Sequence, residues 1–287
     1  MEEEKRALQA MPPWSLRISN VVGFAVLISV NGLVQSGWLG PRNSEISEKF
    51  STPLTPAGWA FGIWGLIFAL QGAGAVYSAF PDGYGGDGSK QRIVNAIGYG
   101  WQVGWYLESA WQIFFMMETP GAMWICLLLL LLALAAFGWT LSRLYRLKEL
   151  QGPLSSGLLY LLYFMPTSLN TAWLSVASGL GALVVPASYG LRDHLDACAV
   201  ALAITVTMAG LVIVHKYRDS AYGLTLMWAF VAVYGNQRSP SVRITALVCL
   251  AVSFMVSLLT VLRRKHHVQA GERSDMRQPL NQVTDRV

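Results

Sequence analysis

The stretch GAMWICLLLLLLALAAFGWTLSRL, Gly121 to Leu144, has no charged residue before Arg143. A helix needs about 20 mainly apolar residues to cross the hydrocarbon core of a bilayer, where lipid offers the backbone no other hydrogen-bond partner. This stretch meets that need, and comparable runs extend outward from it in both directions. Ile18 to Leu39, Ala57 to Ala79 and Val94 to Met116 precede it; Gly157 to Val185, Leu195 to Val214 and Ile244 to Leu262 follow. An eighth segment, Ser220 to Asn236, is short. Composition agrees, with 54% hydrophobic residues, 13% charged residues and a mean hydropathy of +0.43. A soluble domain carries roughly 25% charged residues, so this chain has too few to cover a soluble surface. The expected fold class is all-α: a polytopic transmembrane helical bundle of about eight spans, with both termini cytoplasmic.

Charge distribution supplies the orientation. Cytoplasmic loops collect Lys and Arg, and whether Ser220 to Asn236 crosses decides which side the later loops occupy. With eight spans, sixteen Lys and Arg fall on one side and five on the other; without the short span the split is twelve to nine. The larger asymmetry selects eight. The net charge of +5 therefore belongs to cytoplasmic loops, and no basic stripe interleaved with aromatics exists outside the membrane to suggest nucleic-acid binding. The expected organisation is a cytoplasmic tail (1–17), a five-helix membrane domain (18–185), three additional spans (195–262) and a basic, disordered cytoplasmic tail (263–287).

The connecting segments carry little chemistry. Glu2, Glu3 and Glu4 beside Lys5 and Arg6 argue against an acid-poor transit peptide, so the first apolar run reads as an uncleaved span. The loop Pro81 to Lys90, with Gly83, Gly85, Gly86 and Gly88, lacks the Lys-Ser/Thr ending and strand context of a phosphate loop and reads as a linker. Arg263, Arg264, Lys265, His266 and His267 abut the last span; they serve as ordinary topological charge or attract anionic lipid. Cys126, Cys198 and Cys249 lie in apolar runs without paired spacing and are expected to fill core positions. Asp193, His194 and Asp196 are expected to cap a helix, and His215 with Lys216 to mark an interfacial helix end. No nucleophile and base can be placed together, which gives no basis for an enzyme reading, and the sequence implies no metal and no required cofactor.

In lipid, small residues at helical spacing mark close helix contacts. Gly58, Gly62, Gly65, Ala69 and Gly72 follow one another by four, three, four and three residues, and that face is expected to touch a neighbouring helix or, in a homo-oligomer, a second copy. Of the eleven tryptophans, Trp14, Trp38, Trp124 and Trp139 fit interfacial belts. Others fall within spans. On the third span Trp105, Glu108 and Trp111 share about 120° of helix arc. A carboxylate near midplane costs roughly 2.5 to 3.5 kcal/mol on insertion scales, so such acids turn toward the bundle or water. Glu108 reads either as an interhelical hydrogen-bonding group or as part of a ligand or ion site. The fifth span offers Asn170 and Trp173 one turn apart, with Thr167, Thr171 and Ser175 nearby and Pro166 placed to kink the helix. At about 1.5 Å of rise per residue, Trp64, Glu108, Asn170 and Trp173 fall at compatible depths. If spans two, three and five pack together, they line one cavity in the outer half of the membrane.

The run Pro56, Ala57, Gly58, Trp59, Ala60, Phe61, Gly62, Ile63, Trp64 resembles the start of the second helix in the tryptophan-rich sensory protein and translocator protein family, which reads roughly Pro-Pro-Gly-Trp-x-Phe-Pro-x-x-Trp. Glu108 to Phe115 is similar to that family's Asn-x-x-Trp-x-x-x-Phe third helix, with Glu in place of Asn. Leu169 to Trp173 is similar to its polar, Trp-bearing fifth helix. The resemblance covers roughly Ile18 to Val185 and leaves the last three spans outside. It implies a pocket within the bundle for porphyrins, sterols or other flat hydrophobic ligands.

The leading expectation is a membrane sensor or binding protein for a planar hydrophobic ligand such as a tetrapyrrole, a sterol or an isoprenoid-like molecule. Its candidate site comprises Trp59, Trp64, Trp105, Glu108, Trp111, Asn170 and Trp173, the indoles stacking while Glu108 and Asn170 orient the ligand. The alternative is a secondary transporter that uses Glu108 as its coupling or substrate site.

Overall fold

A computed structural model describes residues 11–80, 87–151 and 156–275, with side chains described as far as Leu262 apart from Gln151. The expected tail residues before Met11, the glycines at 83, 85 and 86, and the chain beyond Asp275 lie outside the described residues. So do the side chains of the basic cluster Arg263 to His267.

The bundle contains α1 (Trp14–Gln35), the short α2 (Asn43–Lys49), a 3-10 turn Gly58–Gly62 leading into α3 (Ile63–Ala79), α4 (Ser89–Ile97), α5 (Gly100–Phe115) and α6 (Pro120–Gln151). A π-helical segment Tyr160–Phe164 opens into α7 (Met165–Ser188), followed by α8 (Leu195–Tyr217), α9 (Ser220–Asn236) and α10 (Pro240–Asp275). Six of these stretches are long and apolar enough to cross a membrane: 14–35, 58–79, 120–150, 157–188, 195–217 and 240–262. The chain is thus a helical membrane bundle. The two remaining expected spans are also helical but shorter, 16 residues in α5 and 17 in α9, or about 24 to 26 Å of rise.

Contacts between helix ends show the helices alternating in direction. Arg17 at the start of α1 donates to the carbonyl oxygens of Ser78, at 3.1 Å, and Ala79 at the end of α3. Lys90 Nζ donates to the Phe80 carbonyl at 2.9 Å. Cations at a helix C-terminus satisfy orphan carbonyls and complement the helix dipole. Arg143, near the end of α6, donates to the Asn95 carbonyl after the same reversal. Basic residues expected on one side therefore gather at one end of the bundle. At the opposite end Lys49 pairs with Glu118, Arg192 donates to the Ser51 carbonyl, and Ser239 donates to Asp196.

The third span departs from expectation. Its predicted start at Val94 belongs to the separate helix α4, because the chain turns at Gly98 with φ +54°, a conformation that favours glycine, before α5 begins at Gly100. From there α5 lies tightly on α6: a Cβ at Gly104 would come within 2.2 Å of the Phe137 ring. The small-residue face of the second span is likewise placed differently. Gly58, Gly62, Gly65 and Ala69 are exposed, and only Gly72 is buried, against the Phe24 ring of α1. The close helix contact of α3 occurs instead at Gly74, whose missing Cβ leaves room for the Leu162 carbonyl. Pro166 has no N–H to donate back to that carbonyl, and the expected kink takes the form of the π-helical segment Tyr160–Phe164 just before it.

Of the cysteines, Cys126 and Cys249 are buried as expected, whereas Cys198 is exposed on α8. No side chain caps α8; Asp196, expected as a cap, accepts from Ser239, just before α10. Trp14, Trp38, Trp124 and Trp139 are all exposed, as interfacial residues require. The tail expected to be unstructured from Arg263 continues as helix to Asp275. Two cores form. One is built mainly from α1 and α3 to α7, the other from α8 to α10 against residues such as Leu141, Ala172 and Leu183 of α6 and α7. Helix α7 takes part in both and is the most buried of the long spans.

Candidate ligand cavity

Because lipid tails are as apolar as Leu, polar pairs carry much of the specificity between membrane helices. In α5 they fall on one face, at residues 101, 105, 108 and 112. Trp101 Nε1 donates to Thr167 of α7 at 2.9 Å, Trp105 Nε1 to Gln71 of α3 at 2.8 Å, and Gln112 accepts from Asn31 of α1 at 3.1 Å. Between them Asn170 Nδ2 of α7 donates to Glu108 Oε1 at 2.9 Å, with both residues buried. Glu108 Oε2 and Asn170 Oδ1 have no partner. The bond also fixes two indoles: Trp111 follows Glu108 and Trp173 follows Asn170 by three residues, one helical turn in each case.

Above that bond, toward the end opposite Arg17, Lys90 and Arg143, lies a narrow apolar cavity. Only about 50 Å³ of it admits a water-sized group, well below the roughly 300 to 1,000 Å³ of ordinary small-molecule sites. Trp64, Trp111 and Trp173 all line it. The Trp173 ring meets Trp64 edge to face at 6.4 Å between centroids and Phe61 at 6.1 Å, while Trp111 stacks on Phe115 at 5.0 Å. From Trp173 the wall continues along α7 through Val176, Leu180 and Val184, one helical face. Met123, Cys126 and Leu130 of α6 repeat the same spacing opposite. The lining is almost wholly apolar, with Ser47 of α2 contributing a hydroxyl. Among the described residues, no group of three or more His, Cys, Asp or Glu side chains is placed to hold a metal ion.

The other expected site residues lie elsewhere. Trp105 is fully buried, its N–H taken by Gln71 and its ring edge-on to Phe24, away from the cavity lining. Trp59 is half exposed and meets Trp228 edge to face at 4.8 Å. Glu108 and Asn170 are also absent from the lining and sit one turn behind the indoles that form it. Val176 to Val184 follow the candidate Trp173 at helical spacing, but nothing in the sequence singled out the α6 wall, where Cys126 was expected only to fill the core. Pro56 and Phe61 stood in the motif that carries the family resemblance, without a sign that they would reach a cavity from an extended segment and a 3-10 turn.

That segment, residues 51–62, is held by α9. Gln237 Nε2 donates to the carbonyls of Thr52 at 3.2 Å and Thr55 at 2.6 Å, and Asn236 Nδ2 to those of Thr55 at 3.2 Å and Pro56 at 3.4 Å. Ala57 N–H donates to the Ala232 carbonyl at 3.0 Å, and Trp228 Nε1 to the Ala60 carbonyl at 3.0 Å.

A helical membrane protein with a Trp-walled apolar cavity inside its bundle is the class that this fold and site define. The sequence model of the TSPO-like protein family matches residues 17–259, and the chain belongs to that family. Membership places it, in general terms, among membrane sensor and binding proteins. The match runs well past Val185, so the last three spans, outside the resemblance legible from individual motifs, fall within the family pattern. No curated protein and no solved structure matches the chain significantly.

Proposed function

We propose that the protein binds a planar hydrophobic molecule of the tetrapyrrole, sterol or isoprenoid-like class in the cavity bounded by Trp64, Trp111 and Trp173. The observation that carries this reading is the convergence of three indoles from α3, α5 and α7 on one apolar space inside a membrane bundle. Indoles offer large rigid faces, and a flat apolar ligand needs few polar partners. The space is narrow, so a ring system enters by parting the walls, and the edge-to-face contact of Trp64 with Trp173 is the one that must open. Glu108 and Asn170 act from behind, tying α5 to α7 and setting the angle between Trp111 and Trp173.

A ligand screen on purified protein, read by quenching of Trp fluorescence and repeated with Trp173→Ala, tests the reading. Saturable quenching by porphyrin, sterol or isoprenoid that weakens at least tenfold in the variant is expected; indifference of the wild-type protein to all three classes refutes it. The partnerless Oε2 of Glu108 supports a second reading, a secondary transporter with that carboxyl as its coupling group. Solute flux in liposomes abolished by Glu108→Gln would favour it.

A further inference from the structure

Most of the cavity wall is helical, but Pro56 and Phe61 reach it from the 51–62 segment, where regular α-helix has not yet begun. Irregular backbone at membrane depth persists only where protein satisfies its polar groups. Trp228 lies eight residues before the end of α9, so the Ala60 carbonyl that it caps sits about 12 Å inside that helix end. Pro53 and Pro56 lack N–H groups, and Thr52 and Thr55 bond each other, which leaves the Thr55 and Pro56 carbonyls and the Ala57 N–H to be met from outside; the Thr52 and Ala60 carbonyls, already reached by the Thr55 and Ile63 N–H groups, take a second donor there. Apart from Arg192, which donates to the Ser51 carbonyl where the segment begins, its outside partners come from one short stretch, residues 228–237 at the end of α9.

We infer that Trp228, Asn236 and Gln237 are positioning residues of the cavity: by pinning residues 52–60 to α9 they fix Pro56 and Phe61, and with them the width of the space and the cross-section of ligand it accepts. The α9 helix thus shapes a site that it does not line. The inference rests on the cavity being the binding site only for its bearing on ligand; the cavity's width can be read without one. Phe61 in turn buttresses Trp173, so release of the segment also frees an indole.

Native cysteines supply the test. Cys126 lines the cavity, Cys249 is buried in the second core, and Cys198 is exposed and can be removed. In a Cys198→Ser background of the full chain, the alkylation rates of Cys126 and Cys249 by N-ethylmaleimide are compared in the parent, in Asn236→Ala/Gln237→Ala and in Trp228→Phe. Ser239→Ala, which breaks a different bond at the same end, is the control. Loss of the pinning bonds is expected to raise the Cys126 rate about tenfold by shifting a local opening equilibrium, with the Cys249 rate unchanged. Equal Cys126 rates in all variants overturn the inference. So does a parallel rise at Cys249, which signals general loosening. Should the double variant fail to fold, Trp228→Phe, which keeps an aromatic side chain without the N–H donor, decides alone. Failure of the wild-type protein to bind porphyrin, sterol or isoprenoid would remove the proposed function and leave this result standing.

Discussion

Replacing Glu108 by Gln separates the two readings of that residue most cleanly. In the native pair one hydrogen bond is made, from Asn170 Nδ2 to Oε1, and two buried oxygens, Glu108 Oε2 and Asn170 Oδ1, are left without a donor. Gln keeps the shape and the accepting oxygen and adds an N–H group where Oε2 stood, which can turn toward Asn170 Oδ1. Each unmet buried polar atom costs about 1 to 3 kcal/mol. With incomplete realignment, a stabilisation of about 1 to 3 kcal/mol is expected. At roughly 2 to 4 °C per kcal/mol for a chain of this length, the melting temperature rises by several degrees. Glu108→Ala removes the acceptor, strands the Asn170 amide and leaves a void, and is expected to lower it. Thermal unfolding of the three proteins in one detergent, followed by intrinsic fluorescence, measures both shifts. Affinity for the flat ligand should change less than about threefold in Glu108→Gln, since neither residue lines the cavity. A Gln variant no more stable than the Ala variant refutes the reasoning, and the carboxyl is then needed in a form that an amide cannot imitate.

Trp173→Ala should weaken ligand quenching at least tenfold and lower the melting temperature, because Trp173 packs on both Trp64 and Phe61; Trp59→Ala, outside the cavity, should leave the affinity within about twofold. Gly65→Leu adds a side chain into open space and should shift stability by less than about 0.5 kcal/mol in the monomer. Gly74→Val drives a methyl group toward a backbone carbonyl 2.5 Å from the ideal Cβ position and should cost at least about 1 to 3 kcal/mol, both being measurable by thermal aggregation after solubilisation. Lys49→Gln breaks the ion pair with Glu118, but Lys49 is well exposed, and equilibrium unfolding should register no more than about 1 kcal/mol.

The helical runs were legible because lipid imposes a length and a polarity that sequence displays directly. The direction of each span followed from Lys and Arg, and the structure gathers Arg17, Lys90 and Arg143 at one end as that counting requires. Trp64 and Trp173 were legible together because depth along a helix can be counted from its ends, and Trp111 because it shares a helix arc with Glu108. Facing was harder. Trp105 and Glu108 share an arc with Trp111, yet α5 uses that arc to bond α3 and α7, and only Trp111, nearest the open end, reaches the cavity. The glycine spacing of the second span is equally real, but spacing states that residues share a face and not what lies against it. The neighbour of Gly74 is a carbonyl freed by Pro166, ninety-two residues further along the chain. Sequence periodicity has no term for such a contact.

The division into five spans plus three is the point at which local pattern and physical unit part. In the second core, residues of α6 and α7 meet α8 to α10, and α9 supplies partners for Thr52, Thr55, Pro56, Ala57 and Ala60. Cut after Val185, the remaining chain would present these backbone groups to lipid or to its interface, together with one bared face of α7. Each unsatisfied group in hydrocarbon costs several kcal/mol, and the Ala57 N–H, about 6 Å inside the end of α9, is beyond easy reach of water. A fragment ending there should therefore be recovered aggregated or should lose slow Cys126 alkylation, whereas co-expression with residues 186–287 should restore both. Recovery of the fragment alone as a monodisperse protein with parent-like protection of Cys126 would show that the first five spans satisfy the segment by another route, and the role assigned to α9 would fall with it.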